Sequence, residues 1–206
     1  APDAVVPGFA NGYEWRGDSF RRMRLWNMAT AFAAGSVYST VGDLYRFDRA
    51  LTGTGLVSEA AKRAMFTPGT GGYGCGWEIR SLPIGPAGTT RTIATHEGFL
   101  YGHHTRIYRV LEDGHLVVLL SNGGDAPIEA MASSLLDLLY GRPARSALPS
   151  VAPELYRVAG ERGAAAVAAR FHEIKAEEAD RWDISERELN VLGYELLRAG
   201  RASDAV

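Results

Sequence analysis

The chain has one cysteine, two lysines (Lys62 and Lys175), and no apolar run approaching the ~18–20 residues that cross a bilayer. Each scarcity removes a class of function. Cys75 alone excludes an intramolecular disulfide and a zinc site built on several cysteines. With no cation beside it in sequence to activate a thiolate, Cys75 reads as a small buried filler. A net charge of −2 gives no basic field to hold nucleic acid or an anionic membrane surface. Three positions before the lysines stand Glu59 and His172, so there is no Ser-x-x-Lys. No serine sits in Gly-x-Ser-x-Gly, and no Tyr or Ser precedes Asn by two. His-Glu-x-x-His is also missing, which argues against a zinc hydrolase.

Enough apolar material remains to build a core: 46% of the 206 residues are hydrophobic and 22% charged, room for one domain or one domain with an appendage. The start, Ala1-Pro2-Asp3, has neither the basic region nor the apolar stretch of a signal peptide, and no initiator Met. The end, Ala202-Ser203-Asp204-Ala205-Val206, carries no cap or polar tail. The chain is therefore expected to be an excerpt of a longer protein.

Residues 1 to about 33 carry the breakers Pro2, Pro7, Gly8, Gly12 and Gly17 between Phe9, Tyr13, Trp15, Phe20 and Trp26, and read as a long ordered loop. A helix follows over 39–51, capped by Ser39 or Thr40, with Asp43 in its first turn and an apolar stripe of Leu44, Phe47 and Leu51. A shorter helix spans Ser58 to about Met65. Strands are expected over Tyr73–Arg80, Arg91–His96 before a turn at Gly98, His103–Val110, and Leu116–Leu120, the last so apolar that it should be buried on both faces. A helix over 126–140 should turn Ile128, Met131, Leu135, Leu136 and Leu139 inward. The strand order predicts an α+β fold with an antiparallel meander flanked by helices. Beyond Gly141 the composition shifts to Ala, Glu and Arg. Helices are expected over 152–157, 164–178 and 185–199, the last with a capping box of Ser185 and Glu188 and a Gly200 stop. The domain plan is thus 1–141, a linker over 142–149, and an all-helical extension over 150–206.

Of the five histidines, adjacent His103 and His104 lie in one strand and point to opposite faces, so they do not share an ion. His115 follows a hairpin turn and reads as solvated. His96-Glu97-Gly98 stands apart. It ends a strand, and its glycine lets a ligand approach the strand edge. The unpaired N–H of Phe99 could then face a developing oxyanion. An ordinary hairpin histidine explains the same spacing.

Four segments in order make the pattern more specific. Gly35-Ser36-Val37-Tyr38-Ser39-Thr40-Val41-Gly42-Asp43-Leu44-Tyr45-Arg46-Phe47 resembles the segment after the active-site loops of serine β-lactamase-related proteins, in the class C and D-alanyl-D-alanine carboxypeptidase-like branch. Tyr73-Gly74-Cys75-Gly76-Trp77 resembles its Tyr-Gly-x-Gly-Trp strand. His96-Glu97-Gly98 with Gly102 resembles its third active-site motif, and Leu119-Leu120-Ser121-Asn122 its last core strand. The resemblance implies the C-terminal part of a serine hydrolase working through an acyl-enzyme on a small-molecule amide or ester: a β-lactam, a D-amino-acid peptide or a small ester. It assigns His96 to the third-motif position, the Phe99 N–H to oxyanion donation, and Glu97 and Gly98 to substrate contact. It implies no cofactor and no metal. The family's Ser-x-x-Lys and Tyr-x-Asn motifs precede this region, so the chain alone is expected to be inactive. The resemblance also implies an exported parent. Asp183 to Leu197, with Leu192-Gly193 and Tyr194, resembles the opening of a tetratricopeptide-like segment, whose second helix would start at Ala202.

The alternative is a hydrolase-like body without catalysis that presents helical repeats to a protein partner. An upstream Ser-x-x-Lys separates the two. Either way, an incomplete sheet should leave an edge and an apolar face exposed, so an oligomer or a second polypeptide is expected to complete the domain.

Overall fold

The computed structural model describes residues 7–24 and 30–202. Pro2, Trp26 and the helix expected at the end of the chain beyond Ala202 lie outside them. The described residues divide into two compact units. One runs to Tyr13 and resumes over Arg22–Ser146; the other joins Glu14–Arg21 to the residues from Ala147 onward.

The first unit is built on a four-stranded antiparallel sheet in meander order β3-β4-β5-β6: β3 Glu78–Leu82, β4 Arg91–Leu100, β5 His103–Val110 and β6 Leu116–Ser121. Three helices belong to it: α1 Val41–Thr52, α2 Glu59–Phe66 and α3 Ile128–Leu139. The α+β content and the antiparallel sheet agree with the sequence reading. Thr40 caps α1 by accepting the Asp43 N–H at 3.1 Å, and Ser58 caps α2 through the Ala61 N–H at 3.2 Å. Period-two alternation sends β-sheet residues to two faces. Ile93, Tyr108 and Val110 form one core with Val117, Ala132 and Leu136 of β6 and α3. Ala94 of the opposite face packs with Leu51 and Trp77. Each valine, leucine or isoleucine among them contributes about 1.5–3 kcal/mol by leaving water.

Several elements differ from expectation. Residues 73–77 are a turn, not a strand: Gly72 and Gly76 adopt φ of +78° and +80°, and the Gly74 N–H returns to the Trp77 carbonyl at 2.7 Å. That turn sends Trp77 inward and leaves Cys75 exposed rather than buried. β4 does not turn at Gly98. It stays paired with β5 through Leu100, and the reversal falls at Tyr101-Gly102. The buried face of α1 is Leu44, Asp48 and Leu51, not Phe47, because Asp48 pairs with Arg109 of β5, whose Nη1 also donates to the Asp48 carbonyl at 3.0 Å. Among the described residues β6 pairs with β5 alone, and Leu120 is 40% exposed, so this strand is not covered on both faces. On α3, Ile128 and Leu136 are buried, while Met131, Leu135 and Leu139 remain exposed.

The N-terminal stretch is not all loop. Tyr13–Arg16 (β1) and Ser19–Arg22 (β2) form a hairpin whose turn uses Gly17 at φ +74°. A Cβ on Gly17 would lie 2.5 Å from the Tyr156 ring, which fixes glycine there a second way. The second unit holds α4 Ala152–Arg162, α5 Ala164–Glu177 and α6 Glu186–Arg198. Its core sets Trp15 of the hairpin among Val151, Leu155, Ile174, Leu192 and Leu196. Ser185 stands at the α6 N-cap without a side-chain bond; Asp183 accepts the Ser185 N–H at 3.0 Å instead. Gly200, at φ +73°, stops α6, and the next N–H, of Arg201, reaches the Leu196 carbonyl at 2.9 Å.

Candidate active site

The site residues lie where β4 outruns β3. β3 pairs from Leu82↔Arg91 to Glu78↔Thr95 and stops, while β4 continues for five residues against β5 alone. The Leu111 N–H bonds the Thr92 carbonyl at 3.0 Å, which sets the phase of the antiparallel ladder. Ala94, His96, Gly98 and Leu100 therefore exchange backbone bonds with β5, and Ile93, Thr95, Glu97 and Phe99 direct theirs to the β3 side. Past Thr95 no β3 residue meets them. The Phe99 N–H is thus aimed toward the side of β4 that β3 has left, where no strand pairs with it among the described residues.

His96 is exposed beside that edge. Its Nδ1 lies 2.7 Å from the Glu97 carbonyl, and its ring meets Tyr73 edge-on at a centroid distance of 6.0 Å. Gly98 shares the His96 face. A Cβ there would fall 2.5 Å from Thr105 Oγ1, which donates to the Gly98 carbonyl at 3.3 Å. The room left by this glycine is therefore met by a threonine of β5. The Phe99 ring is 59% exposed and packs edge-on against His104.

Glu97 projects from the other face of the strand. Its Oε1 lies 2.6 Å from His104 Nε2, and its Oε2 accepts from Arg106 Nη1 at 3.0 Å. Arg106 continues the network. Its Nη2 lies 3.0 Å from Glu129 Oε2, an ion-pair contact off the hydrogen-bond angle. Tyr108 donates to Glu129 Oε1 at 2.6 Å. Burial, then the Glu129 hydrogen bond, pushes the Tyr108 phenol up to about 12. On β3, Glu78 accepts from Arg80 at 2.7 and 2.9 Å, and that pairing holds its carboxyl below the usual glutamate value against the opposing effect of burial. His103 and His104 do face apart: His103 lies against the Ala10 and Leu100 carbonyls, His104 against Glu97 and the Ala126 carbonyl. No cluster of three metal-ligating side chains occurs among the described residues.

A strap over residues 9–13 fixes the turn that follows β4. Tyr13 N–H bonds the Asn122 carbonyl at 2.8 Å, Asn122 Nδ2 donates to the Asn11 carbonyl at 3.0 Å, and His103 Nε2 lies 2.9 Å from the Ala10 carbonyl. The backbones cross so closely that a Cβ on Gly12 would sit 2.1 Å from the Tyr101 oxygen, and one on Gly102 would sit 2.5 Å from the Tyr13 nitrogen.

The spacing of His96, Gly98 and Phe99 located this edge. It did not show Tyr73, Thr105, His104, Arg106 or Glu129 around it. Tyr73 was within reach, since it opens the Tyr-Gly-x-Gly-Trp run; the β5 partners needed the register.

No family model matches the chain, and no solved structure matches it significantly. Two curated proteins of Bacillus subtilis (strain 168) do. Penicillin-binding protein 4* is 31% identical over 117 residues, covering 53% of this chain and 25% of that protein. "Putative penicillin-binding protein PbpX" is 32% identical over 71 residues, covering 34% of this chain and 18% of that protein. The chain thus spans a quarter or less of the length of the relatives it matches. These partial matches support a relationship to the penicillin-binding-protein and β-lactamase-like group, a hydrolase-like set of proteins. Among the described residues no helix is long and apolar enough to cross a membrane.

Proposed function

We propose that this chain forms one wall of the active site of a serine hydrolase in the class C and carboxypeptidase-like branch, acting through an acyl-enzyme on an amide or ester. The observation that carries the reading is the end of β4 beyond the reach of β3, where the Phe99 N–H and the exposed His96 flank one edge. In this reading the acyl oxygen of a β-lactam, D-amino-acid peptide or small ester sits at that edge. The Phe99 N–H donates to the oxyanion as it develops, where a fixed donor is worth most. His96 orients the substrate or relays a proton, and Gly98 keeps the strand low beside it. The nucleophile, its lysine and the second oxyanion donor come from outside these 206 residues, which hold no Ser-x-x-Lys.

The test is acylation of the full-length protein by a fluorescent penicillin and by a fluorophosphonate, read by intact mass. A covalent adduct is expected, and none on the 206-residue chain alone. With Phe99→Ala as the control for loss of the ring on His104, Phe99→Pro removes an N–H that β5 does not use and fixes φ at the same position. It should slow acylation about 100- to 1,000-fold, the usual cost of one oxyanion donor. Unchanged acylation in Phe99→Pro, or no adduct in the full-length protein, defeats the proposal.

A further inference from the structure

We infer that Glu97 is a positioning residue rather than a substrate contact: it fixes the tautomer of His96, so that Nε2 is the bare nitrogen offered at the open edge. The inference rests on the proposed function for its catalytic meaning, but its geometry stands by itself. A carbonyl oxygen carries no proton, so the 2.7 Å contact between His96 Nδ1 and the Glu97 carbonyl is an Nδ1–H donation. The neutral ring then has its lone pair on Nε2.

What holds that carbonyl in place is the other end of the same residue. The Glu97 carboxylate is gripped by His104 and Arg106, both nearly buried on β5, and Arg106 is anchored in turn by Glu129 in the first turn of α3. This is the stretch of β4 that lacks a β3 neighbour, so the pairing with β5 and the clamp carry restraint that β3 supplies elsewhere. One residue thus ties its side chain to one face of the sheet and orients the imidazole on the other. At the edge, His96 Nε2 accepts a hydrogen bond or a proton from substrate or nucleophile; as a fixed cation it would donate instead.

Long-range 1H–15N correlation of the histidine rings in the intact 15N-labelled protein reads the tautomer directly, at a pH where the ring is neutral. Wild type is expected to show His96 protonated on Nδ1 with Nε2 bare, the reverse of the form that free histidine prefers. Glu97→Gln keeps the shape but loses the charge. His96 should then move toward the Nε2–H form, and the Gly98 and Leu100 amides, which bond β5, should exchange about tenfold faster, as for loss of one charge-assisted hydrogen bond. His104→Leu serves as a second variant should Glu97→Gln not fold. Asp113→Asn, which breaks a comparable pairing with Arg91 and Tyr140 at the other end of β4, should leave the His96 tautomer untouched. Wild type with His96 protonated on Nε2, or a variant tautomer identical to wild type, overturns the inference. In an active full-length enzyme, Glu97→Gln should lower kcat and leave KM nearly unchanged. A protein that forms no acyl adduct would sink the proposed function while leaving the tautomer measurement to be judged alone.

Discussion

Replacing Gly102 by alanine tests whether the strap really locks the turn beyond the site. Gly102 has φ +74°, a conformation that costs an alanine about 1–2 kcal/mol by itself. Its Cβ would also sit 2.5 Å from the Tyr13 nitrogen and 2.7 Å from the Gly12 carbonyl carbon, backbone atoms with no rotamer to escape into. The strap must lift. Two or three of its bonds (Tyr13 to Asn122, Asn122 to Asn11, His103 to Ala10) would then be lost, at about 1 kcal/mol each. The expected cost is about 3–5 kcal/mol, a large part of a typical domain's 5–15. Gly88 supplies the control. Its φ is +75°, but an added Cβ meets nothing within 4 Å, so Gly88→Ala should cost only the backbone term of about 1–2 kcal/mol. Because the chain has two units, a single unfolding curve is ambiguous. Native-state hydrogen exchange at β4 and β5 amides reports the first unit alone. Equal losses in the two variants would refute the crossing-backbone argument.

Three further outcomes follow from the same geometry. Asp48→Asn removes the charge that Arg109 and Arg49 share, leaving the buried Arg109 only the Asp48 carbonyl of that residue, and should cost about 3–5 kcal/mol, whereas Asp48→Leu combined with Arg109→Met should cost less than either of those two changes alone; a strictly additive thermodynamic cycle would argue against the pair. Tyr108, raised to about 12, favours the folded state while it keeps its proton; this contribution is full below pH ~10 and fades as pH rises through 12, so Tyr108→Phe should remove a late component of the tyrosinate absorbance titration. Glu78, lowered mainly by its bond to Arg80, contributes above the ordinary glutamate value of 4.5 and loses that contribution as pH falls through its folded value; denaturation midpoints followed below pH 4.5 should fall less steeply in Glu78→Gln.

Local signals were legible in the sequence where one residue suffices to write them. Thr40, one of the two expected caps, closes the start of α1, Gly200 stops α6, and β5 starts and ends at the anticipated residues. What the pattern misjudged depends on partners far away in the chain. Phe47 looked like the inward residue of α1 because a buried aspartate is unthinkable without its arginine, and Arg109 lies 61 positions on. β4 looked as if it broke at Gly98, since nothing local announces that Thr105 fills the missing side chain's place. Leu116 to Leu120 read as a strand buried on both faces, yet Leu120 is 40% exposed. His96, Gly98 and Phe99 stood out as a candidate site on one short run; the clamp that holds Glu97 did not, because it is written across β5 and α3.

The hairpin that lends Trp15 to the helical unit has a practical consequence for dissecting the molecule. The polypeptide enters that unit after Tyr13, leaves it by Arg22, and returns only at Ala147. No single cut separates the two units: a fragment ending before Ala147 leaves an indole with no pocket, and one starting there leaves a pocket with no indole. During synthesis Trp15 must wait for Leu192 and Leu196, far downstream, before its core closes. The smallest piece that can be expected to fold like the whole must keep both ends of that thread.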